Sequence, residues 1–121
     1  MPVGADWYAV EMTSVREVVA QPQLAPVPTA PGSVLGLFNL RGEIVPLFDT
    51  AALLGIGRVE EPSYCAVVLT SAGPAGLAAS GVPDAADLGE PIVSGELSAS
   101  VGGYAVDDRL VTLLDVDLLV R

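Results

Sequence analysis

Gly36–Gly55, GLFNLRGEIVPLFDTAALLG, opens as a short apolar run broken by Asn39 and reaches the polar knot Arg41-Gly42-Glu43. It resumes as Ile44-Val45-Pro46-Leu47-Phe48 and ends at Asp49-Thr50. This pattern predicts a β-hairpin feeding a short helix. Gly42 supplies the positive φ that a tight reversal needs, and the flanking Ile, Val, Leu and Phe suit a pleated, mostly buried surface. Pro46 has no amide hydrogen for a ladder, so its strand is expected at a sheet edge or at a bulge. Asp49 or Thr50 can accept from the free amides of a turn formed by Ala51-Ala52-Leu53-Leu54, and Gly55 sits where a left-handed cap belongs.

The same plan recurs near the C-terminus. Laying Asp49 on Asp115 aligns GLFNLRGEIVPLFDTAALL with GGYAVDDRLVTLLDVDLLV without a gap. The alignment matches a glycine, a Val, a Leu, the Asp and a late Leu, and sets Phe38 opposite Tyr104. The turn chemistry differs, with Arg41-Gly42 against Asp107-Asp108. Two copies of a hairpin with an acid-capped helical turn imply two similar small β-units rather than a solenoid, which needs three or more repeats.

The chain has 121 residues, 51% of them hydrophobic, which suffices for one domain, residues 1–121, with a real core. Ten prolines and thirteen glycines punctuate short Val-, Leu- and Ala-rich runs, so the class is mainly β. Fifteen carboxylates face five arginines, giving a net charge of −10, which disfavours nucleic acid and anionic membrane surfaces as partners. Most of these acids read as solubilising surface charge, and a basic partner surface is compatible with them. The chain contains no histidine and no lysine. That removes Ser-His-Asp and Cys-His nucleophile systems, histidine metal sites, the phosphate-loop lysine and Schiff-base chemistry. Cys65 is alone, inside a strand-like run, and reads as a buried thiol. The start, MPVGADWYAV, lacks a signal-peptide pattern, and no apolar run is long enough to span a bilayer, so a cytoplasmic protein without cofactors is expected.

In chain order, Trp7–Met12 is expected as a first strand, and Ser14 with Glu17 has capping-box spacing that predicts a helical turn over Ser14–Val19. Gln21–Gly32 carries four prolines and reads as an extended connection. Tyr64–Thr70 and Ala75–Val82 form a second strand pair, Asp84–Glu90 a solvated loop, and Ile92–Leu97 and Ser98–Val106 lead into the second hairpin. Arg41 stands at a turn among Phe38, Leu40 and Ile44, a composition that fits an interaction anchor. The plainer reading of the residues is that it pairs with Glu43 or another carboxylate. Val15 and Val18 either line a groove or pack in the core.

The string Val27–Asp49 resembles the signature of the CheW-like chemotaxis coupling proteins: a Pro-containing lead, a Gly, an Asn-Leu-Arg-Gly turn, a hydrophobic-Pro-hydrophobic strand and an Asp. Val15-Arg16-Glu17-Val18 resembles the family's Val-x-Glu-Val element, and Gly103–Leu119 its closing hairpin. The resemblance implies two small five-stranded β-barrels packed together, in a non-enzymatic adaptor of a bacterial chemosensory array. It implies as partners the cytoplasmic domain of a chemoreceptor, and a chemotaxis histidine kinase or another CheW-like protein. Carried onto this sequence, the receptor-facing groove would involve Val15, Glu17, Gly36, Arg41 and Gly42, in a helix-in-groove contact.

The chain departs from the family pattern in having only six residues before Trp7, so the first barrel is expected to lack an edge strand. A bare edge invites self-association and weakens kinase contact while sparing the receptor groove. A rival reading comes from Leu47-Phe48-Asp49-Thr50-Ala51, which resembles the active loop of small dimeric aspartic peptidases, with one Asp per subunit sharing a proton. Against it, Ala51 replaces the loop glycine and Ala-Ala-Leu-Leu follows at once.

Overall fold

The central hairpin forms as its residues dictate. β4 (Val34–Leu40) and β5 (Glu43–Phe48) pair antiparallel, with Leu40 opposite Glu43, so Arg41 and Gly42 are a two-residue loop. Both have positive φ, 52° and 87°, the combination of the type I′ turn whose twist matches that of the flanking strands. The Asn39 side-chain oxygen accepts the Gly42 N–H at 2.8 Å. Asp49 caps α1 (Thr50–Leu54) by accepting from Ala52, and Gly55 closes it in the left-handed conformation. The computed structural model describes residues 1–27, 32–59, 62–84 and 99–120, and the backbone of 93–94.

The remaining strands are β1 (Pro2–Val3), β2 (Asp6–Ala9), β3 (Val15–Ala20), β6 (Tyr64–Thr70), β7 (Gly73–Ala79), β8 (Val93–Ser94), β9 (Ser100–Val106) and β10 (Arg109–Leu114), followed by α2 (Val116–Leu119). They make two five-stranded sheets, in the orders β1-β2-β10-β9-β8 and β3-β6-β7-β5-β4. The architecture is therefore mainly β, in two five-stranded units. Among the described residues neither sheet is closed into a barrel by a backbone ladder.

The internal duplication holds residue by residue, at the offset that lays Asp49 on Asp115. The ladder skips Leu35 in the first hairpin and Val101 in the second, so each carries the same bulge. The amide of Asp49 donates to Ser33 O, and that of Asp115 to Ala99 O. Each hairpin's second strand pairs parallel with a further strand, β5 with β7 and β10 with β2. The outer edge of each first strand is met at the equivalent position, Leu37 by Ala25 and Gly103 by Val93. Asp107 and Asp108 have positive φ, 48° and 63°, so the second copy uses the same turn type with a residue type that tolerates it.

Four expectations change in the structure. The helical turn over Ser14–Val19 is replaced by β3, because Val15, Val18 and Val19 are β-branched and their alternating burial suits a strand; a 3₁₀ turn, Met12–Ser14, precedes it. The first strand runs over Asp6–Ala9 and stops short of Met12. The β2 edge is not bare: β1 pairs with it, setting Pro2 opposite Trp7 and Val3 opposite Asp6, which removes the ground for edge-driven self-association at that strand. Pro46 lies on a strand that is interior by order, but pairing with β7 begins at Leu47, so the proline sits where β5 has no partner on that side. The loop expected at Asp84–Glu90 lies outside the described residues except for Asp84.

One apolar core joins the two sheets, with Val45, Leu47, Cys65, Val67, Val68 and Leu77 from one side meeting Val3, Tyr8 and Leu114 from the other. Polar links fix the sheets to each other at two places. Ser80 joins β7 to the first strand, its amide donating to Pro2 O and its hydroxyl accepting from Gly4. The Asp117 carboxylate of α2 accepts the Ser71 N–H in the β6–β7 turn at 2.7 Å.

A candidate partner-binding groove and its arginine seam

Between the sheets lies an open cleft of about 600 Å³. One wall is β3 and β6, contributing Val15, Val18 and Ala66; the other is β2, β9 and β10, contributing Trp7, Val106 and Val111. In an unbroken strand Val15 and Val18 would point to opposite faces, because their separation is odd. The ladder between β3 and β6 shifts register at Arg16, where Val15 faces Val68 and Glu17 faces Val67, and this extra residue lets both valines line the cleft. The sequence posed groove or core for these two positions: both line the cleft, and Val15 also packs against the core.

Glu17 turns from the cleft to the hairpin. Its Oε2 accepts from Arg41 Nη2 at 2.7 Å, while Arg16 Nη1 donates to Glu43 Oε2, also at 2.7 Å. These crossed pairs tie β3 to the β4–β5 hairpin, strands at the two ends of one sheet, so the sheet curls until side chains bridge the gap that no backbone ladder spans. The Arg41 partner is thus Glu17, not its neighbour Glu43. The Arg41 side chain remains 78% exposed and that of Glu17 only 21%, so the carboxylate is the fixed member and the guanidinium faces outward. Glu17 Oε1 is buried and has no hydrogen-bond partner among the described residues.

Val15, Glu17, Arg41 and Gly42 are therefore gathered around β3 and the hairpin tip. Gly36 is not. It is buried near the far end of β4, where a Cβ would lie 2.9 Å from Ala25 O and 3.1 Å from Leu24 Cβ; its work is to let the incoming chain cross over β4. Sequence reasoning missed Trp7 and Arg109 on the opposite wall, where the guanidinium of Arg109 stacks 4.0 Å from the Trp7 ring centroid. The signal available was the duplication, since Arg109 occupies in the second hairpin the place of Glu43 in the first.

Asp49 is 1% exposed, and its carboxylate accepts from Ala52 and Val59 amides at 3.1–3.2 Å. A carboxylate sealed from water and held by the Ala52 and Val59 amides has no open face on which to activate a water or share a proton across a dimer, so the geometry does not support the peptidase reading. Cys65 is wholly buried, and burial pushes its thiol up to about 11, far from a nucleophile's range. Among the described residues no cluster could hold a metal ion, and no helix is long and apolar enough to cross a membrane.

Paired β-units thus share one core and leave an open groove between them. The CheW-like domain family matches residues 1–121, and the chain belongs to that family. It is 29% identical to the chemotaxis protein CheW of Rhizobium meliloti strain 1021 over 95% of this chain and 81% of that protein. It is 26% identical to a probable chemotaxis protein CheW of Rhizobium etli over 97% and 82%. The fold is that of the scaffolding protein TtCheW from Thermoanaerobacter tengcongensis, with TM-score 0.82, 23% identity, and coverage of 97% of this chain and 86% of that one. By family this is a chemotaxis scaffold or adaptor, and nothing in these likenesses supports a peptidase.

Proposed function

We propose that residues 1–121 act as one CheW-like domain, a non-enzymatic cytoplasmic adaptor of a chemosensory array. It holds the helical cytoplasmic tip of a chemoreceptor in the intersheet groove and couples it to a histidine kinase, directly or through another CheW-like protein. The observation that supports this reading is the bulge at Arg16: Val15 and Val18 line the groove, while Glu17, turned from it, holds the exposed Arg41 at the hairpin tip. Apolar side chains then bury one helical face and an exposed arginine fixes its register. Absence of catalysis is supported by the lack of histidine and lysine, the buried Cys65 thiol and the buried, amide-bound Asp49 carboxylate. The reason for expecting weak kinase contact, a bare β2 edge, is removed by β1.

Calorimetry against a receptor cytoplasmic-tip fragment and, separately, a kinase regulatory domain tests this. Arg41→Ala should weaken fragment binding by about 1–3 kcal/mol while moving the melting temperature by only a few degrees, as expected for an exposed anchor. Unchanged fragment binding would remove Arg41 and Glu17 from the site. An empty kinase titration beside a normal receptor titration would make the chain a connector that reaches the kinase through another adaptor.

A further inference from the structure

The groove is apolar at its floor and acidic at its rim. Met12 and Val82 are 73% and 60% exposed and Val18 46%, so large apolar side chains stand open to solvent in one cleft. Around them are Glu11, next to Met12, and Asp107, in the β9–β10 turn, with Asp84 beyond Val82 and Pro83. Among the described residues two cationic groups line the cleft with them. Arg109 is stacked on Trp7, and the Met1 amine donates to Tyr8 O at 2.9 Å. The wider surface adds to the imbalance, with a net charge of −10.

We infer that the groove selects a helix whose apolar stripe is flanked by lysine or arginine. This rests on the helix-in-groove reading above and specifies the chemistry of the occupant. A helix seated on Val15 and Val18 brings its flanking positions over Glu11 and Asp107. Acidic flanks there would set like charges side by side as water is displaced, whereas basic flanks meet opposite charge. An anionic amphiphile of similar apolar size would meet the same repulsion at its head group. Because the rim carboxylates are exposed, they act chiefly on encounter and selection, in a salt-sensitive way, and less on the lifetime of the complex.

The test is stopped-flow association of chemoreceptor cytoplasmic-tip fragments, some with basic and some with acidic flanks, read by the fluorescence of Trp7, the sole tryptophan of the chain and a groove residue. The variant is Glu11→Gln with Asp107→Asn; both changes keep side-chain shape, and Asn tolerates the left-handed backbone at position 107. The association rate of basic-flanked fragments should fall on the order of tenfold between 50 and 500 mM NaCl, and on the order of threefold in the variant at low salt, with dissociation nearly unchanged. Acidic-flanked fragments should associate slowest. If fragments bind but their rates ignore both salt and the double variant, this inference fails and the adaptor reading stands. If no fragment binds the wild type, the adaptor reading fails with it. Decanoate binding more tightly than every fragment would also overturn the proposal.

Discussion

Arg41 holds a left-handed backbone conformation, φ 52°, which costs an ordinary L-residue on the order of 1–2 kcal/mol. The equivalent turn of the second hairpin uses Asp107-Asp108, a residue type that accepts this conformation readily. Arginine is therefore a poor choice for the turn itself, and its exposed pairing with Glu17 returns only a few tenths to about 1 kcal/mol. The strain is explained if the guanidinium serves a partner. Arg41→Asn makes an Asn-Gly sequence suited to a type I′ turn and should leave stability equal or higher by on the order of 0.5 kcal/mol in urea titration. The same variant should lose receptor-fragment affinity as Arg41→Ala does. Full affinity in Arg41→Asn would make Arg41 a turn residue and nothing more.

At the scale of elements, each hairpin delivers its chain into a short helix through an aspartate cap, and the two caps differ in what they hold. Asp115 accepts from Asp117 and Leu118 amides at its helix start, in a partly exposed setting. Asp49 is sealed in and ties the helix start to Val59, with both carboxylate oxygens facing donors. An asparagine at position 115 keeps the accepting oxygen, so Asp115→Asn should change stability by less than about 0.5 kcal/mol. In Asp49→Asn the amide nitrogen would face the Val59 N–H or stand buried without an acceptor, which should cost about 1–2 kcal/mol. By capping preference alone Asn serves about as well as Asp at a helix start, so the burial of Asp49 is what separates the two positions. Equal costs at the two positions, measured by denaturant unfolding, would contradict the distinction.

For the whole molecule, the buried thiol gives a global readout, because Cys65 sits in the shared core and meets water only when the fold opens. Its folded pKa is about 11 against an ordinary 9.0, raised first by burial. Below pH 9 the thiol is protonated in both states and has no effect on stability. Between pH 9 and 11 the unfolded chain loses the proton while the folded one keeps it, so stability falls by about 1.4 kcal/mol per pH unit. Tyr8, also raised by burial, adds a slope of the same sign above pH 10, and no lysine complicates the titration. Cys65→Ala should flatten the dependence between pH 9 and 11 even if it lowers stability at neutral pH. An unchanged slope in that variant would show that the thiol reaches water in the folded state.

The sequence by itself determined whatever is local or periodic. The hairpin with its Gly42 turn, the Asp49 cap, the Gly55 stop and the second copy aligned on Asp115 all follow from backbone preferences within a few residues. The signature over Val27–Asp49 added the family, whose architecture agrees with the two β-units that the duplication implies. Only the tertiary structure decided which face Val15 and Val18 take, because one extra residue at Arg16 reverses side-chain direction and leaves no mark in the residue pattern. The partner of Arg41 was equally hidden, since Glu17 reaches it only when the sheet curls, whereas Glu43 is the neighbour that sequence distance favours. Asp49 could be read as a cap, but its burial could not, because burial is set by how distant strands and the chain around Val59 close over it.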